Sequence, residues 1–134
     1  MKKLIGRKKF NLAVFISGNG SNLNNLIKYS LKKNSKFKIN LVISNNPKAK
    51  GLNFARKFRI KKKIIKILKN KKFEREIVST LKKNDIDFIC LAGFMKILSK
   101  YFIKNFKGKI LNIHPSLLPK YKGLNTHQRV LDKK

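Results

Sequence analysis

The chain has one cysteine, no tryptophan, three prolines and only five acidic residues in 134 positions. A single thiol, Cys90, closes no internal disulfide and cannot supply a four-cysteine zinc site, so a reducing, intracellular setting fits best. Long apolar runs are also missing. The longest uncharged one spans 88–95, far short of the roughly 20 residues a bilayer-crossing helix needs. The basic start, residues 1–9, resembles a signal peptide only superficially. Its apolar stretch, Leu12 to Ile16, is short and leads into Ser17-Gly18-Asn19-Gly20, not into a small-residue cleavage site. These absences predict a cytoplasmic protein with no membrane partner. At 15.6 kDa the chain holds one domain, with residues 1–10 as a basic lead-in and 11–134 as the folded unit.

Arginine is scarce as well. The formal charge is +30, but the 35 basic residues divide into 30 Lys and five Arg. Base readers and phosphate clamps favour the planar, bidentate guanidinium, which is nearly absent here. The lysines are spread along the chain among many Asn and Ile, as compositional bias on solvated faces would leave them. Nucleic acid is therefore not the expected partner. A positive field that draws in phosphorylated small molecules remains.

What is present is apolar patterning. With 42% hydrophobic residues the chain can form a core. Leu12–Ile16 reads as a strand buried on both faces, 37–43 as a second strand closed by the turn at 44–47, 60–68 as a shorter third, and 87–92 and 109–113 as the fourth and fifth. Helical spacing runs from Asn22 to Leu31, and helices are also expected over 51–58, 72–84 and 98–106, with Gly108 stopping the last of these. Thr126 caps a final expected helix. Strand and helix alternate without repeat or linker, which predicts an α/β fold: an open, doubly wound, mostly parallel sheet.

Ligands bind such sheets at the carboxyl ends of the strands. Three unusual segments fall there. In Ser17-Gly18-Asn19-Gly20-Ser21-Asn22 the glycines permit a tight turn at a helix N-terminus, where free N–H groups meet an anion. Leu23 stands where a dinucleotide loop carries its third glycine, and no Gly-Lys-Ser/Thr follows, so a single phosphate fits better than NAD or ATP. An ordinary glycine turn with a Ser or Asn cap accounts for the loop equally well. Leu91-Ala92-Gly93-Phe94-Met95-Lys96-Ile97-Leu98 lines a pocket for a flat ring or simply packs the core. In Asn112-Ile113-His114-Pro115-Ser116-Leu117-Leu118-Pro119, the proline holds His114 extended, so Asn112 and His114 share a face. An amide there stabilises an oxyanion and an imidazole shuttles a proton. The competing reading is a structural histidine at a strand end. His127 is the only other histidine, and Cys90 sits mid-strand, so no metal set is expected.

These three segments, with Lys120-Tyr121, Gly123-Leu124 and Thr126-His127, resemble phosphoribosylglycinamide formyltransferase, a folate-dependent enzyme of purine biosynthesis. The likeness runs from about residue 10 to the last residue, in the family's order. It implies a Rossmann-like formyltransferase N-terminal fold and transfer of a formyl group from 10-formyltetrahydrofolate to 5'-phosphoribosylglycinamide. It further implies that Gly20, Ser21 and Asn22 hold the substrate phosphate. Met95, Lys96, Ile97 and Leu98 would wall the folate site together with Asn112. Asn112 would also stabilise the oxyanion, and His114 would act as general acid. Asn70, between Lys69 and Lys71, stands where the family carries a substrate-reaching Arg or Lys. The family's pattern continues for another third of its length and includes an essential Asp. None of Glu74, Glu76, Asp85, Asp87 and Asp132 is placed to substitute for it. The expectation is thus a sheet incomplete at its C-terminus, uncovered apolar surface, and little transferase activity from these residues alone. Methionyl-tRNA formyltransferase and a non-catalytic polyanion-binding remnant are the alternatives.

Overall fold

In a computed structural model the described residues are 9–66, 72–94 and 98–113. They form strands β1 (Phe10–Ile16), β2 (Phe37–Ser44), β3 (Lys61–Ile64), β4 (Phe88–Ala92) and β5 (Lys109–Ile113). Between them lie helices α1 (Ser21–Ser30), α2 (Leu52–Lys57), α3 (Lys72–Lys83) and α4 (Lys100–Asn105). The five strands make one parallel sheet in the order β3-β2-β1-β4-β5. The expected doubly wound α/β architecture is therefore present. After β3 the chain returns to the far side of β1, so strand order reverses between β1 and β4.

Burial explains the central position of β1. Six of its seven residues are buried, because helices cover both faces of the sheet beside it. Leu12, Val14 and Ile16 pack with Leu23 and Ile27 of α1 and Leu52 and Ala55 of α2. Ala13 and Phe15 face the other way, into Ile77 and Leu81 of α3 and Phe102 of α4. Phe15 meets Phe94 edge-on at 5.3 Å between ring centroids, a geometry aromatic pairs favour.

Several boundaries differ from expectation. β3 stops at Ile64, paired with Ser44, the last residue of β2, and all four of its residues are exposed. Residues 67 and 68, also expected in that strand, lie outside the described residues. As an edge strand, β3 carries Lys61, Lys62 and Lys63, charges that discourage pairing with another chain. Gly108 does not act as a left-handed helix stop. It packs against the start of β4, where a Cβ would lie 2.1 Å from the Asp87 carbonyl oxygen. Phe10 and Leu111 are about half exposed.

Glu74 is the one buried acid among the described residues, at 1% exposure. It does not serve β5. Its carboxylate accepts the backbone N–H of Ser99 at 2.8 Å and the Ser99 hydroxyl, and so satisfies the start of α4 from the neighbouring helix. Glu74→Ala removes both acceptors and leaves the half-buried Ser99 donors without them. The expected loss is about 2–3 kcal/mol of stability, read by urea denaturation. A loss below about 0.5 kcal/mol would contradict this role.

Cys90 is buried in β4, on the α1 side of the sheet, and burial pushes its thiol up from 9.0 to about 12. An unfolded chain releases this proton from about pH 9, whereas the folded one holds it to about pH 12. Between those values the unfolded state binds fewer protons, so stability falls as pH rises, by at most about 1.4 kcal/mol per unit. Below pH 8 the thiol contributes no slope. Comparing Cys90→Ala with the parent from pH 8 to 11 isolates the effect, and parallel curves would exclude it.

Candidate functional site

The loop after β1 and the loop after β4 part at the point where strand order reverses. Together they line a cleft of about 270 Å³ formed by Gly18, Asn19, Gly20, Ser21, Asn22, Ala92 and Gly93. Doubly wound sheets place their ligands at this position. Gly20 and Gly93 both adopt φ +78°, a left-handed conformation that glycine takes without strain. Gly20 is the N-cap of α1, so the cap has no side chain and makes no side-chain hydrogen bond to the helix. The first intrahelical bond runs from the Asn24 N–H to the Gly20 carbonyl. Ahead of it, the Ser21 N–H has only a long 3.4 Å contact to Asn19 Oδ1. The first-turn amides and the positive end of the helix therefore face the cleft, an arrangement suited to an anion. The N-cap position itself is held by glycine, not by the Ser or Asn of the competing reading.

The loop is braced from β2. The Ser17 hydroxyl donates to Asn45 Oδ1 at 2.6 Å, and the Asn46 side-chain amide donates to the Ser17 carbonyl at 3.2 Å. The sequence marks Asn45-Asn46-Pro47 only as a turn. Its partner, 28 residues away along the chain, becomes apparent once β1 and β2 are seen to pair in parallel.

Asn112 lies in β5 opposite Leu91 and is half-buried. Leu91 and Phe15 are themselves paired, so Asn112 sits level with Phe15, the penultimate residue of β1, two strands across. At strand spacings near 4.8 Å that is roughly 10 Å from the axis of β1. Strand alternation puts Asn112 with Ile110, toward the α3–α4 side, while Ile113 faces α1. Ile113 and the buried Asn22 line an adjoining apolar groove of about 420 Å³ with Leu26, Tyr29 and Phe37.

Gly20, Ser21 and Asn22 are thus brought together, and Asn112 stands at the same end of the sheet. Leu98 is buried in the core against the α3–α4 side, at 5% exposure. His114, Met95, Lys96, Ile97 and Asn70 lie outside the described residues. Asp85 and Asp87 sit at the opposite end of β4, where Asp87 Oδ2 accepts the Asn11 N–H at 2.8 Å. Among the described residues no group of three metal-ligating side chains occurs, and no helix is long and apolar enough to cross a membrane.

The chain is 44% identical over 124 residues to a phosphoribosylglycinamide formyltransferase of Haemophilus influenzae, covering 90% of this chain and 58% of that protein. It is 46% identical over 129 residues to the human trifunctional purine biosynthetic protein adenosine-3, covering 94% of this chain and 13% of that protein. Among solved structures, the phosphoribosylglycinamide formyltransferase of Brucella melitensis superposes with a TM-score of 0.77 at 41% identity, covering 94% of this chain and 67% of that one. The chain therefore spans less than two thirds of the curated relatives it matches. The profile of the formyl transferase family matches residues 10–133, nearly the whole sequence, and the chain belongs to that family.

Proposed function

We propose that the chain takes part in formyl transfer from 10-formyltetrahydrofolate to the amine of 5'-phosphoribosylglycinamide, in purine synthesis. The observation that carries this reading is the cleft at the β1–β4 switch point, where the glycine-capped start of α1 stands at the same sheet end as Asn112. A cleft of this size, lined by glycine, serine and asparagine, fits a phosphoryl group. Gly20, Ser21 and Asn22 hold the phosphate through backbone N–H groups. Met95, Lys96 and Ile97 wall the folate, whereas Leu98 is buried in the core.

Folate delivers a formyl group activated on its N10 nitrogen. The amine of the ribonucleotide bonds to the formyl carbon, and the Asn112 amide donates to the oxygen as it gains negative charge. The carbon–N10 bond then breaks. His114 gives its proton to N10 and takes up the one that the amine sheds, ending as it began. No metal is required by these steps. The compartment we assign is the cytoplasm, in keeping with a single buried thiol.

Calorimetry with phosphoribosylglycinamide and its dephosphorylated riboside, at 150 mM salt, tests the reading. Saturable binding that prefers the phosphorylated ligand by about 100-fold or more is expected for charge-assisted amide contacts. Equal binding of the two would refute it, and so would tight, steeply salt-dependent binding of RNA in their place.

A further inference from the structure

Gly51 precedes α2 with φ −60° and ψ −23°, an ordinary right-handed conformation in which alanine is at ease. By backbone preference alone, alanine there would be neutral or stabilising. The reason for glycine is therefore space. A Cβ on Gly51 would lie 2.9 Å from the Gly20 Cα and 2.7 Å from the Ile16 Cδ1. Reciprocally, a Cβ on Gly20 would lie 2.5 Å from the Gly51 Cα. The two backbones are in direct contact, and the Gly51 N–H donates to the Gly18 carbonyl at 3.0 Å.

From this contact we infer that Gly51 is a positioning residue for the anion loop. Its missing side chain lets Gly20 sit low against the start of α2, and its N–H fixes the Gly18 peptide. Together these set the height at which the Ser21 and Asn22 amides meet a phosphate. The inference rests on the phosphate reading given above. Gly51 itself touches no ligand, and neither its residue type nor its spacing from Gly20 marks it in the sequence.

Two variants separate loop positioning from bulk stability. Gly51→Ala crowds both Gly20 and Ile16. Ile16→Val/Gly51→Ala removes the Ile16 Cδ1 and so relieves the side-chain clash, but leaves the backbone clash with Gly20. Each is titrated with ribose 5-phosphate at 150 mM salt, following the amide resonances of Gly20, Ser21 and Asn22, with thermal melting in parallel. In the parent chain these three resonances are expected to shift and saturate. In Gly51→Ala, affinity is expected to fall roughly tenfold or more, as displaced contacts lose strength steeply. In the double variant, melting temperature recovers part of its loss while affinity stays low.

Parent-like affinity in Gly51→Ala overturns the assignment and leaves the phosphate reading intact. Recovery of affinity together with stability in the double variant overturns it too, because Gly51 would then act only through packing. Loss of the fold in both variants makes Gly51 a folding residue and likewise overturns it. No loop shifts in the parent chain would remove the phosphate reading and this inference with it.

Discussion

On the proposed mechanism, Asn112→Ala is expected to slow whatever formyl transfer the parent chain shows by about 10²–10³-fold, the usual cost of removing one donor to a developing oxyanion. The measurement is single-turnover, with protein in excess over labelled folate, so that even a slow chemical step is resolved. Asn112 stands on β5 with its backbone held by pairing to β4, where it aligns with Leu91. A truncated side chain there leaves the ladder intact, and phosphoribosylglycinamide affinity is expected to change less than threefold. Asn112→Asp keeps the shape but presents a negative carboxylate to negative charge, and is expected to be at least as slow. A rate for Asn112→Ala within threefold of the parent would take Asn112 out of the chemistry.

Gly20→Ala is expected to abolish measurable phosphate binding and to cost about 3 kcal/mol or more of stability. Two independent penalties combine. A φ of +78° costs any L-residue with a side chain about 1 kcal/mol or more. The new Cβ must also find room 2.5 Å from the Gly51 Cα, which is backbone and cannot rotate aside. The loop has to lift off α2 or change hand, and either movement turns the amides of Ser21 and Asn22 away from the cleft. Asparagine tolerates the left-handed region better than alanine. Because the contact penalty remains, Gly20→Asn is expected to recover only a minor part of the stability and none of the binding. Chemical denaturation and ribose 5-phosphate titration read the two effects separately. Full binding by Gly20→Ala would show that the loop conformation does not matter to the anion.

The strands were legible where burial forces apolar runs. Leu12–Ile16 and Leu41–Ile43 are continuous apolar runs because both faces of β1 and β2 are covered near their carboxyl ends, whereas Lys38 and Asn40 interrupt the start of β2. β3 was overextended because Lys and Ile keep alternating beyond the point where β2, its ladder partner, ends at Ser44. No local rule reports the length of a distant partner. The loop after β1 showed itself through glycines at a strand–helix junction. Its supports did not: Gly51 and the Asn45–Asn46 brace act across parallel pairing, and only the fold brings them to residues 16–20. The burial of Glu74 is not legible either, since in the sequence it looks like one more polar residue of a helix. Its burial depends on α4 packing against α3, a tertiary contact that helical periodicity cannot reveal.

A crystal structure of the chain with phosphoribosylglycinamide is the most direct measurement. The ligand's phosphate oxygens should lie about 3 Å from the backbone nitrogens of Gly20, Ser21 and Asn22, with the glycinamide amine extended along the strand ends toward β5. A phosphate seated among surface lysines, with the loop after β1 empty, would contradict this.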